Sequence, residues 1–143
     1  MTVIEIKLPS DPKYLKIARG SIAYLCNFCG FSKEERDTIV LAVDEAMTNI
    51  IKHAYGNDKN KPIIIKCRIL RDRLEIILRD FGKKADPRNI KSRNLQDVRP
   101  GGLGVHFIQS SMDSVVYDNS LKEGNRLTLL KYFPEKSKNH VRN

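Results

Sequence analysis

At the start of the chain Ile4, Ile6 and Leu8 alternate with Val3, Glu5 and Lys7, and this period of two predicts a half-buried strand over 3–8. The period then lengthens. Leu15, Ala18, Ile22, Leu25 and Cys29 recur at helical spacing behind Ser10 or Asp11, either of which can cap a helix with Pro12 in its first turn, and Gly30 ends it. Ser32 followed by Glu35 is a capping-box pattern, so a second helix is expected from about Lys33 to Ala54, with Ile39, Val40, Val43, Met47, Ile50 and Ala54 toward the core. After a turn at Gly56-Asn57-Asp58, the β-rich runs Pro62 to Leu70 and Leu74 to Asp80 flank the polar Arg71-Asp72-Arg73, which predicts an antiparallel hairpin. The stretch from Phe81 to Pro100 is long and polar, and it reads as a mobile lid, because loops of that length in small domains are usually functional or disordered. Gly101 to Gly104 opens a third helix through about Met112, and Ser114 to Asp118 with Arg126 to Phe133 make a last hairpin.

This order predicts an α/β (α+β) two-layer sandwich, in which a mostly antiparallel sheet is covered on one face by three helices. With 143 residues and neither an internal repeat nor a break in composition, one domain is expected over 1–134, followed by a disordered basic tail over 135–143. Hydrophobic residues at 41% and charged residues at 30% suit a soluble globular chain and exclude a disordered one. No basic start leads into a long apolar stretch, and the longest apolar run, Ile63 to Ile65, is far too short to span a bilayer, so a cytoplasmic location without membrane attachment is expected. Three cysteines are an odd number for a disulfide framework. Cys26 and Cys29 form a Cys-x-x-Cys at the end of a helical pattern, where a redox motif would open a helix after a strand; they read as reduced core thiols.

A net charge of +9 raises the question of nucleic acid. The charge is scattered, however, with acidic residues interspersed and no aromatic-and-basic strand pattern, so direct nucleic-acid binding is not expected; an acidic protein surface or a polyphosphate explains it as well.

Three local patterns carry chemistry. Glu45 and Asn49, four apart on the second helix, share a face, with His53 close to it two turns on. By periodicity that face lies opposite the apolar stripe, where a solvated surface is the ordinary reading, yet Leu41 and Ala42 flank it and Ala46-Met47-Thr48 is poor in charge. Asp80-Phe81-Gly82 spells a tripeptide of eukaryotic-type protein kinases, but the glycine-rich loop and His-Arg-Asp loop that such kinases need are missing. What remains is an aspartate at a strand end and a glycine that permits close backbone approach. Gly101-Gly102-Leu103-Gly104 precedes a helix and can offer free N–H groups to phosphate, without being a Walker loop.

Taken in order, these patterns are far more specific than any one of them. Leu41 to Gly56 resembles the N box of the GHKL superfamily, Leu78 to Pro87 its first glycine box, and Gly101 to Asp113 its second. Over about Ile4 to Phe133 the chain is most similar to the anti-sigma factor kinases of the RsbW and SpoIIAB type. The resemblance implies a Bergerat-type fold that binds ATP with Mg²⁺ and phosphorylates a serine on a STAS-domain anti-anti-sigma factor. It also implies sequestration of an RNA polymerase sigma factor and a homodimeric state. Glu45 would be the catalytic base, Asn49 the Mg²⁺ ligand, and Asp80 the acceptor of the adenine amino group, with His53 as a supporting polar residue. Gly82 would let the backbone pass close to the base, and the turn of Gly101, Gly102, Leu103 and Gly104 would present N–H groups to the phosphates. Asn125 stands where the family usually has a threonine near the adenine, and could make a similar hydrogen bond. Arg99 is a candidate for the γ-phosphate, a role for which Lys83, Lys84, Arg88, Lys91 and Arg93 compete. The alternative is a non-catalytic nucleotide-binding module that only binds a partner; the presence of Glu45 beside Asn49 favours catalysis.

Overall fold

The computed structural model describes residues 1–85 and 102–134, with the side chains of 102–106 outside the description. Residues 86–100 of the expected lid, including Arg88, Lys91, Arg93 and Arg99, together with Gly101 and the tail 135–143, therefore lie outside the described residues.

Five strands, β1 (Thr2–Pro9), β2 (Pro62–Ile69), β3 (Arg73–Asp80), β4 (Ser114–Asp118) and β5 (Asn125–Tyr132), form one sheet in the order β1-β2-β3-β5-β4. Every pairing is antiparallel. Register follows the apolar alternation, since a slip of one residue would turn each strand's core side chains to water. Ile6 faces Ile65 across β1 and β2, Ile65 faces Leu78 across β2 and β3, and Leu78 faces Leu127 across β3 and β5. That row lies beneath the helices. The opposite face carries charged residues such as Lys66, Arg79 and Arg126, and there Glu75 is paired with Arg68 and Arg73.

Three helices cover the apolar face: α1 (Leu15–Phe28), α2 (Lys33–Asn49) and α3 (Gly102–Ser111). Asp11 rather than Ser10 caps the first helical segment, accepting the Lys13 N–H, and a single 3₁₀ turn over Pro12–Tyr14 leads into α1. Ser10 is instead fully buried: its hydroxyl donates to the Asp58 carbonyl and accepts the Lys61 N–H at 3.0 Å, tying the end of β1 to the turn before β2. The capping box forms as expected, with Glu35 N–H on Ser32 Oγ and Ser32 N–H on Glu35 Oε1. Arg19 of α1 bonds Asp44 of α2 at 2.9 Å, across the seam between the two helices.

Ile22, Ile39, Met47, Ile63, Ile65, Ile76 and Leu129 make a core from every layer. Cys26, Cys29 and Cys67 are buried in it as free thiols. Burial pushes Cys26 and Cys67 up to about 12 and Cys29 to about 11, so at neutral pH they are protonated and behave as small hydrophobes.

One helix departs from expectation. The α-helical pattern read as continuous from Lys33 to Ala54 stops at Asn49, and Ile50–Ala54 form a π-helical turn closed by the Tyr55 N–H on the Ile50 carbonyl at 3.0 Å. A π turn keeps the apolar spacing roughly helical, so periodicity does not distinguish it.

Candidate nucleotide and catalytic site

Glu45 and Asn49 lie one turn apart near the end of α2, and both side chains are half-buried rather than fully in water. Ala42 and Ala46 beside them are buried, while Leu41 is exposed. Among the described residues neither side chain forms a hydrogen bond or ion pair with another residue. A carboxylate and an amide held partly out of water and left unengaged can act on a ligand, and a partly dry setting strengthens what they do there.

The π turn that follows changes what comes after Asn49. His53 is exposed, so it is not buried with Glu45 and Asn49. The Ala54 carbonyl accepts the Lys83 N–H at 2.7 Å, which joins the end of the helix to the segment after β3. Gly82 lies so close to this junction that a Cβ there would stand 2.2 Å from the Ala54 carbonyl oxygen and 2.8 Å from Tyr55 Cδ1. The close approach that requires glycine is thus to the helix end. Tyr55 holds the same junction through its hydroxyl, which accepts the Phe81 N–H at 2.8 Å and donates to the Pro62 carbonyl at 2.5 Å.

Asp80 is the last residue of β3 and is 3% exposed. Burial raises its pKa above the usual carboxylate value, and the Gly82 N–H and the Asn125 amide oppose that rise. Gly82 N–H reaches Oδ1 at 3.0 Å, and Asn125 Nδ2 lies 3.1 and 3.4 Å from the two carboxylate oxygens. Asn125 sits directly opposite Asp80 in the β3–β5 register, an arrangement that the sequence, with the two residues 45 positions apart, does not announce. Lys84 Nζ is bonded to the Leu121 carbonyl, which engages one of the candidate phosphate cations within the protein.

Gly102, Leu103 and Gly104 form the first turn of α3. A first helical turn has N–H groups without intrahelical partners at the positive end of the helix dipole, where phosphate oxygens bind. Tyr55, Asn119 and the π turn were not singled out from sequence. The tyrosine directly before the glycine that closes the N box was the available signal for the first of these.

An antiparallel sheet under three helices, with a helix end bonded to the segment after a buried aspartate and a glycine-opened helix, is the arrangement of a histidine kinase-like ATPase domain, and that family matches residues 8–131. The chain is 33% identical over 140 residues to the serine-protein kinase RsbW of Oceanobacillus iheyensis, covering 92% of this chain and 87% of that protein. Against the serine-protein kinase RsbW of Bacillus subtilis it is 32% identical over 124 residues, 81% of this chain and 78% of that one. The crystal structure of the RsbU and RsbW domains of a Mycobacterium tuberculosis protein matches 93% of this chain with a TM-score of 0.68 at 14% identity, and the chain spans 33% of that longer one. That likeness is one of fold. The chain belongs to the RsbW serine-protein kinases, the anti-sigma factor kinases of the GHKL superfamily, and is a protein-serine/threonine kinase with an ATPase-type domain.

Proposed function

We propose that the chain binds Mg-ATP between α2, the Asp80 turn and the first turn of α3, transfers the γ-phosphoryl group to a serine of a STAS-domain anti-anti-sigma factor, and sequesters an RNA polymerase sigma factor in the cytoplasm. The observation that carries this reading is the half-buried, unengaged Glu45–Asn49 pair on the helix whose end is bonded to the Asp80 turn. Asp80 accepts the exocyclic amino group of adenine. The N–H groups at Gly102, Leu103 and Gly104 take phosphate oxygens, with Gly101 and Arg99 as further candidates beside them. Glu45 takes the proton of the serine hydroxyl as its oxygen bonds to phosphorus, and ADP leaves.

Among the described residues no cluster of three or more His, Cys, Asp or Glu could hold a metal alone. Mg²⁺ usually keeps waters and substrate phosphates as ligands and takes one or two from protein. The Asn49 amide oxygen would be one of them. The ion would there neutralise charge on the phosphates. Among the described residues no helix is long and apolar enough to cross a membrane.

Mg-ADP at about a hundred times its dissociation constant is expected to stabilise the chain by about 2.7 kcal/mol, a rise of several degrees in Tm, and Asp80→Asn is expected to remove that rise. The substituted amide would set an NH₂ group against the Asn125 donor or the adenine amine. Differential scanning fluorimetry checks it, and a Tm unmoved by millimolar Mg-ADP overturns the site.

The homodimer is expected to form through β1 and α1. β1 is an edge strand with Val3 and Ile4 exposed, and Ile17, Tyr24 and Phe28 of α1 are more than half exposed. Light scattering should give the dimer mass; a monomer mass across the micromolar range overturns it.

A further inference from the structure

We propose that Asn125 is a positioning residue for base selection: it holds the Asp80 carboxylate in the orientation that accepts an amino N–H, and does not itself donate to the base. The inference rests on the nucleotide site proposed above. Asn125 is 6% exposed at the start of β5, and its polar atoms are taken up by protein. Nδ2 donates to Asp80 and, at 2.9 Å, to the Lys83 carbonyl, while Oδ1 accepts the Ala85 N–H at 2.7 Å. An amide nitrogen has two hydrogens, and both are spent. The orientation of the group is fixed chemically, because the Ala85 N–H can only donate and must face the oxygen. Asn119 supports the same segment by donating from Nδ2 to the Ala85 carbonyl at 3.0 Å.

The consequence falls on Asp80. Its Oδ1 takes the Gly82 N–H at 3.0 Å and the shorter of the two Asn125 contacts, which leaves Oδ2 the freer acceptor. An ionised carboxylate accepts only, so a purine with a 6-amino group is satisfied there and one with a 6-oxo group sets oxygen against oxygen. Asn125 thus fixes which oxygen is offered. It also opposes the burial that drives Asp80 toward its protonated form, and a protonated Asp80 loses that acceptor selectivity.

The other groups around Asp80 are Tyr55 on the π turn, Tyr117 on β4, Arg79 on β3 and the exposed Lys83. Burial raises both tyrosines, Tyr117 to about 12, so they stay neutral below pH 9. Arg79 Nη1 bonds the backbone carbonyls of Asp80 and Asn125.

The test is calorimetric titration of the full chain with Mg-ADP and Mg-IDP from pH 5 to 9, for the unaltered protein, Asn125→Ala and Asn125→Asp. ADP should bind at least tenfold tighter than IDP to the unaltered protein, with affinity falling as pH drops through the Asp80 pKa. Asn125→Ala should weaken ADP about tenfold at neutral pH, narrow the ADP/IDP ratio and move the acid limb to higher pH, since removing the donor leaves burial less opposed. Asn125→Asp keeps the side chain's size and sets two carboxylates together, so its acid limb should move further up; it decides the matter if Asn125→Ala does not fold. Equal losses for both nucleotides at every pH, with the limb unmoved, would mean that Asn125 only supports the fold and would overturn the inference. Absence of ADP binding by the unaltered protein would instead remove the site on which it rests.

Discussion

Glu45→Gln is expected to leave Mg-ADP binding within a few-fold and to lower phosphoryl transfer to the serine of the antagonist by about 10²- to 10⁴-fold, the usual contribution of a general acid–base group. The separation of the two effects comes from what each residue touches and when. In the proposed site Asp80 and the glycine turn would hold base and phosphates in the ground and transition states alike, and so would set affinity. Glu45, as the proposed base, would act on the hydroxyl proton only as oxygen bonds to phosphorus. The replacement is nearly isosteric, and Glu45 has no partner among the described residues, so no ion pair is broken and the fold should hold. Asn49→Ala should behave differently, weakening triphosphate binding as well as turnover, because the proposed Mg²⁺ ligand would serve both states. If antagonist and sigma factor compete for the kinase as proposed, an antagonist that cannot be phosphorylated should stay bound and leave the sigma factor free. Transfer from radiolabelled ATP to the cognate antagonist measures the effect, and undiminished transfer by the Glu45→Gln protein would eliminate the proposed base.

The strands and helices were legible because each has a single dominant period. The alternation of β1, the capping box at Ser32 and Glu35, and the two hairpins appear within a residue or two of where pattern places them. Strand order was not legible. Nothing local tells β5 to enter between β3 and β4, since that pairing is carried by the match of apolar rows Ile76–Leu129 and Leu78–Leu127 over some fifty residues of chain. The site divides the same way. Glu45, Asn49 and Asp80 were visible as members of ordered motifs, whereas the clamp that joins them was hidden. It depends on a carbonyl left free by the π turn at Ala54, a tyrosine hydroxyl two segments away from its partner, and an asparagine brought opposite Asp80 only by the sheet. Gly82 was expected to permit a close approach to a bound base, and the close approach found is to Ala54 and Tyr55, a contact between segments 28 residues apart that no local pattern announces.

Gly124→Ala is expected to destabilise the chain by about 3 kcal/mol or more, while Gly56→Ala costs about 1–2 kcal/mol, although both glycines have positive φ. Gly124 has φ +67° and Gly56 φ +56°, so the left-handed strain of an added Cβ, about 1–2 kcal/mol, is common to both. Their surroundings differ. Nothing lies within 4 Å of a Cβ at Gly56, but at Gly124 it would stand 2.1 Å from the Asp80 carbonyl oxygen and 2.5 Å from Phe81 Cα. Those are backbone atoms of the β3 end, and they cannot yield without disturbing the Asp80–Asn125 pairing that starts β5. The damage should therefore extend to the proposed base site, with Mg-ADP affinity falling in Gly124→Ala under conditions where it stays folded, and unchanged in Gly56→Ala. Urea unfolding of the two variants beside the unaltered protein, followed by nucleotide titration of each, measures both effects. If Gly124→Ala loses no more stability than Gly56→Ala and binds Mg-ADP normally, the hairpin can move away from Asp80, and the close crossing of β3 and β5 is not what holds the carboxylate in place.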